Sequence, residues 1–87
     1  CTSDALMKGF DPALTNGATV KITGFGCASG WAYVWATVTP TSDPSNSIDI
    51  TDVMASRDGA WVSQPRDTVC VAGKMPQVIY QNGCLSN

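Results

Sequence analysis

Residues 24–38 read GFGCASGWAYVWATV. Within that stretch, WAYVWATVT (31–39) is dense in aromatic and β-branched residues, the composition of a buried strand. Pro40 ends the run. Side chains alternate along a strand, so Trp31, Tyr33 and Trp35 share one face, and Ala32, Val34, Ala36 and Val38 share the other. Both faces are apolar, which makes this the central strand, covered on at least one side. Ala32 and Ala36 are small enough to let a helix approach closely. The aromatic face is open to two readings, as the inside of a small core or as a surface that grips a ligand.

The rest of the chain arranges itself around that strand. ATVKITGF (18–25) alternates cleanly, with Val20 and Ile22 on one side and Thr19, Lys21 and Thr23 on the other. CASG (27–30) turns the chain into the central strand. Beyond it, TPTSDPSNS (39–47) is a polar loop with two prolines, expected to be mobile. IDITDVMAS (48–56) reads as a third strand whose alternation slips between Ile50 and Val53, which predicts a bulge or break near Asp52. RDG (57–59) is a tight hairpin turn leading into a fourth strand, AWVSQ (60–64). Residues 65–75 read as loop, and Pro76 opens a short helix to Gln81. At the other end, Ser3 is the expected cap of a helix over Asp4–Lys8, stopped by Gly9, with a further turn at Pro12–Leu14. The expected fold is a single domain over residues 1–87 of the α+β class. It is a four-stranded antiparallel meander with a short N-terminal helix, a short C-terminal helix and two disulfides. A small all-β barrel or sandwich is the alternative.

Composition sets the habitat and narrows the chemistry. A chain of 87 residues has a thin core. Charged residues make up 14%, against about 25% in an average domain, and every acid is Asp. The five basic residues, Lys8, Lys21, Arg57, Arg66 and Lys74, are scattered, so the clustered footprint of a nucleic-acid binder is missing. No apolar run reaches the ~18 residues of a transmembrane helix. Cys1, Cys27, Cys70 and Cys84 fit two disulfides of an exported protein. Three pairings exist, of which Cys1–Cys27 and Cys70–Cys84 are favoured because each closes a local segment. With no His and no close Cys pair, a zinc site is disfavoured, and no metal or cofactor is expected. A first residue of Cys leads us to expect a processed, mature chain. A lipid anchor on Cys1 is the competing use of that thiol; it is disfavoured because it leaves one exported thiol unpaired.

The absence of His removes Ser-His-Asp and Cys-His chemistry, and the absence of Glu leaves paired-carboxylate chemistry to Asp alone. An enzyme is therefore not expected. Asp43, Asp49, Asp52 and Asp58 lack the spacing of a calcium loop and read as turn caps and solvated surface. Two candidate recognition surfaces remain. One is the aromatic face near Trp31, Tyr33 and Trp35, with Trp61 expected to pair near these rings across the sheet. The other is the segment Pro65, Arg66, Asp67, where a disulfide-braced loop would present Arg66 to a trypsin-like pocket; loop 39–47 is a second inhibitory candidate.

The series Cys1, Phe25, Cys27, Gly30, Trp31, Ala32, Gly59, Trp61, Cys70, Pro76, Tyr80 and Cys84 follows the order C…F-x-C-x-x-G-W-A…G-x-W…C…P-x-x-x-Y-x-x-x-C. In this the chain resembles a diffuse group of small exported or envelope-associated actinobacterial domains, mostly without assigned function. The resemblance implies location and a two-bridge framework, and carries over no site residue. Thr39–Ser47 is longer than a tight hairpin there needs. The expected role is a non-enzymatic secreted or cell-envelope domain that binds an extracellular protein or a cell-wall glycan. The alternative is a secreted inhibitor of an extracellular hydrolase.

Overall fold

The fold was established from a computed structural model, which describes residues 1–10 and 16–85. It is an open four-stranded antiparallel sheet in meander order, with short helices on both faces. The strands are β1 (Ala18–Ala28), β2 (Trp31–Pro40), β3 (Ile48–Arg57) and β4 (Ala60–Gln64). The helices are α1 (Ser3–Met7), α2 (Arg66–Val69) and α3 (Gln77–Ile79); α3 runs on into a π-helical turn, Tyr80–Cys84. The sheet does not close into a barrel. The expected turn at Pro12–Leu14 lies outside the described residues.

Two hairpins set the register, and both use the same backbone device. Ser29 and Gly30 join β1 to β2 with φ of 51° and 81°, and Asp58 and Gly59 join β3 to β4 with 51° and 82°. Positive φ at both central residues matches the right-handed twist of the flanking strands. The first turn is therefore tighter than the sequence suggested, since Cys27 and Ala28 still belong to β1, paired with Ala32 and Trp31. The longer β2–β3 connection is held by its own bonds. Asp43 N–H donates to the Pro40 carbonyl at 3.2 Å, Asn46 N–H to the Asp43 carbonyl at 3.0 Å, and Ser45 Oγ to Asp43 Oδ1 at 2.8 Å.

The expected irregularity near Asp52 is absent. β3 pairs with β2 without interruption from Ile48 to Ala55. Its uneven alternation has another cause, because both of its faces are covered. Val53 is buried on one face, while Asp52 on the other accepts Ser63 Oγ at 2.8 Å. The bulge lies instead in β1, where the pairing with β2 shifts between Ile22 and Gly24 and leaves Thr23 as the extra residue.

Each face carries its own cover. On the alanine face, Leu6 of α1 and Phe10 pack against Ala32, Val34, Ala36 and Met54. α1 has only five residues, too few to be stable alone, so it depends on burying Leu6. Its cap is Thr2, one residue before the expected Ser3, whose side chain accepts the Ala5 N–H at 3.2 Å. Lys8 is the C-cap residue. On the opposite, aromatic face, Val69, Met75 and Ile79 pack against Val53, Trp31 and Tyr33. The segment 65–75 is thus a structural layer that includes α2. α3 begins at Gln77 with Pro76 as its N-cap residue, and the turn beyond it closes with Leu85 N–H donating to the Tyr80 carbonyl at 3.2 Å.

The bridges are Cys1–Cys27 and Cys70–Cys84, and no cysteine is free. The first ties the segment preceding α1 to β1; the second closes the layer on the aromatic face. Replacing Cys70 and Cys84 together by Ser removes a crosslink spanning 14 residues and should lower unfolding free energy by about 3 kcal/mol in urea titrations. The Cys1–Cys27 pair, spanning 26, should cost slightly more. Alkylation of the untreated protein should label no cysteine.

Candidate functional site

The bulge at Thr23 determines how the aromatic row is seated. Val20 and Ile22 lie on the alanine face, opposite Val38 and Ala36. Without an extra residue, Gly24 and Gly26 would follow them there. The bulge reverses the alternation, so Gly24 pairs with Trp35 and Gly26 with Tyr33 on the aromatic face. The rings lie over the space that side chains would occupy. A Cβ on Gly24 would stand 2.9 Å from Trp35 Cε3, and one on Gly26 would fall inside the Tyr33 ring envelope. The displaced Thr23 bonds back, its Oγ1 donating to the Trp35 carbonyl at 3.3 Å. Tyr33 and Trp35 touch each other at 5.2 Å between ring centroids, tilted by 51°.

The C-terminal layer covers one end of this row and stops at Trp35. Trp31 and Tyr33 are half-buried under it. Gly83, buried in the π-helical turn, is pressed so closely to the sheet that a Cβ there would meet Val53 Cγ2 at 2.7 Å and Tyr33 Cβ at 3.2 Å. Trp35 marks the boundary. It is 36% exposed, and its indole N–H donates to the Asn82 carbonyl at 3.0 Å. Asn82 is itself held, its amide donating to the Val78 carbonyl at 2.8 Å. The indole is therefore fixed in orientation while part of its surface meets solvent.

Past Trp35 the same face is polar. Lys21 pairs with Thr37, which pairs on its other side with Asp49; Thr19 pairs with Thr39, and Thr51 with Trp35. Thr37 Oγ1 donates to Asp49 Oδ1 at 2.8 Å, and Thr39 and Ser47 share a hydroxyl bond of 2.8 Å. A rigid ring thus borders a flat strip of hydroxyls with one cation and one carboxylate.

Trp61 is not part of this surface. In β4 it pairs with Ser56 of β3, and it packs with the alanine-face cluster. Since the Asp58–Gly59 turn pairs Arg57 with Ala60, the register puts Ser56 and Trp61 on the face of Met54. That much was readable from the length of the turn. The Arg66 segment also differs from the inhibitory loop expected. Arg66 opens helix α2 and is half-buried, and its guanidinium Nη2 donates to the Cys84 carbonyl at 3.3 Å. Pro65 precedes the helix as its N-cap residue and Asp67 lies in its first turn, so the three residues form a helix start and no extended strand is presented. The acids are dispersed: Asp43 and Asp58 sit in turns at opposite ends of β3, and Asp49 and Asp52 face opposite sides of the sheet. No group of three metal-binding side chains occurs among the described residues.

No family model, no curated protein and no solved structure matches the chain. Seating of the rings on glycine has a direct check. Gly26→Ala should lower stability by about 1–3 kcal/mol in urea denaturation, the usual cost of forcing volume into a packed site. A loss within the ±0.5 kcal/mol typical of surface substitutions would show that Tyr33 does not rest on Gly26.

Proposed function

We propose that this is a non-enzymatic recognition domain of an oxidising, extracytoplasmic setting, binding a macromolecule of the cell envelope through the open half of its aromatic face. The two disulfides support the setting, as does the resemblance to small exported domains. No helix among the described residues is long and apolar enough to cross a membrane.

One observation carries the assignment: Trp35 is held rigidly by Asn82 yet remains exposed at the edge of a flat, hydroxyl-rich strip. A fixed ring loses little freedom on binding. Its flat face suits the C–H face of a sugar ring, and Thr37, Thr39, Lys21 and Asp49 supply donors and acceptors for hydroxyl and amide groups. That combination favours a cell-wall glycan over a protein, whose binding site would be richer in apolar anchors. The inhibitor reading has weaker support, because Arg66 opens a helix and is tied to Cys84.

Titration with soluble peptidoglycan fragments, followed by tryptophan fluorescence, should give a saturable change. Trp35→Ala should weaken binding about tenfold or more, equivalent to about 1.4 kcal/mol. Phe25→Leu, exposed on the opposite face, should leave affinity unchanged. No response from any fragment or envelope glycan would remove this reading.

A further inference from the structure

The alanine face carries a second concave feature, unrelated to the Trp35 surface. Cys1, Ala5, Lys8, Gly59, Ala60 and Trp61 line an open cleft of about 390 Å³ between α1 and the β3–β4 hairpin. That volume lies within the usual range of small-ligand sites, about 300–1,000 Å³. Its walls are fixed from both sides. Cys1 is bridged to Cys27 of β1, and α1 is anchored by the fully buried Leu6. The Gly9 carbonyl accepts the Ser63 N–H at 3.1 Å, clamping the end of the α1 segment to the outer edge of β4. Opposite, the hairpin is locked by the positive φ of Asp58 and Gly59.

The lining has a definite chemistry. Ala5, Gly59 and Ala60 are too small to fill the space beside Trp61, which is half-buried and so offers ring surface as a wall. Lys8 is exposed and supplies the cation. Asp4 stands one turn earlier on α1 and Asp58 in the facing hairpin, yet Lys8 forms no ion pair with a described residue. An aromatic residue in the wall and an ammonium at the rim of one small cleft are complementary to a six-membered ring bearing a carboxylate.

We infer that this cleft is a binding site for an acidic sugar, a pyranose whose ring lies against Trp61 and whose carboxylate meets Lys8. A pyranose suits the site better than an aromatic acid. The cleft is wide and open, and the exposed backbone of the Asp58–Gly59 turn gives hydroxyls something to bond.

The site is tested by titrating the isotope-labelled full chain with sodium glucuronate, glucose and benzoate, following the Trp61 indole and Lys8 amide resonances. Trp61→Phe identifies the indole signal. Glucuronate should give saturable millimolar binding, with glucose at least about tenfold weaker, the scale of one charge-assisted hydrogen bond. Lys8→Gln, at an exposed position, should keep the spectrum of the folded protein and reduce glucuronate to the level of glucose. The Trp35 indole resonance should not follow the saturation curve shared by Trp61 and Lys8, which separates this site from the opposite face. No saturable shift, equal binding of glucose and glucuronate, or undiminished binding by Lys8→Gln would overturn the proposal. Tighter binding of benzoate than of glucuronate would overturn the sugar assignment.

Discussion

One extra residue in β1 governs how this molecule is built. The bulge at Thr23 places Gly24 and Gly26 beneath Trp35 and Tyr33. Rings of that size on a central strand need lateral room, and neighbouring side chains on β1 would deny it. With the glycines there, the rings lie down over β1, and the face becomes level enough for α3 and the π-helical turn to pack onto it. Had the alternation continued unbroken, the glycines would have thinned the alanine face, where Leu6 and Phe10 need walls. The same bulge turns Phe25 and Cys27 onto the alanine face, opposite Val34 and Ala32, where Cys27 is reached by Cys1. Ring seating and one of the two crosslinks therefore follow from the same local irregularity.

The aromatic-face cover and both crosslinks gather at one end of the sheet. Cys27 lies beside the β1–β2 turn, and Cys70–Cys84 closes over the strand residues nearest it. The other end, beyond Trp35, has no helix among the described residues on its aromatic face, while on the alanine face Val38 is buried and Ile48, at the start of β3, is 55% exposed. A chain of this size buries too little surface to cover a whole sheet on both sides. Placing both disulfides and the aromatic-face cover at one end gives a firm base, and leaves the rest of the aromatic face as a platform carried by it.

What could be read from the sequence was what local pattern determines. The central strand, its alanine and aromatic faces, the RDG turn and the meander order all follow from alternation and turn chemistry within a few residues. The preferred disulfide pairing rested on local closure, and the structure has that pairing. The bulge was not legible, because Thr19, Lys21 and Thr23 alternate smoothly up to it and glycines leave no side-chain pattern beyond it. The π-helical turn depends on contacts from distant strands, with Asn82 accepting from Trp35 and Gly83 lying against Tyr33 and Val53. Trp61 is a different case: the two-residue turn had already set its register, and carrying the pairing two steps back would have placed it on the alanine face. The Arg66 segment could also have been read otherwise, since a proline followed by an acidic first turn is a helix-start signal.

The aromatic row is both core and surface, and the boundary between the two is a single hydrogen bond. Trp31 and Tyr33 are half-buried under the C-terminal layer, packed with Val53, Val69, Met75 and Ile79. Trp35 lies where that layer ends, and there an indole left loose would sweep solvent and present no defined surface. Its N–H bond to the Asn82 carbonyl removes that freedom. The Asn82 side-chain bond to Val78 in turn holds the turn that supplies the carbonyl. A ring needed only for packing would gain more from full burial than from being pinned at an edge, because apolar area removed from water contributes steadily with its extent. Restraint together with exposure is the condition under which an aromatic side chain recognises a ligand at low entropic cost. In this fold the layer that stabilises one half of the face is also what orients the residue offered by the other half.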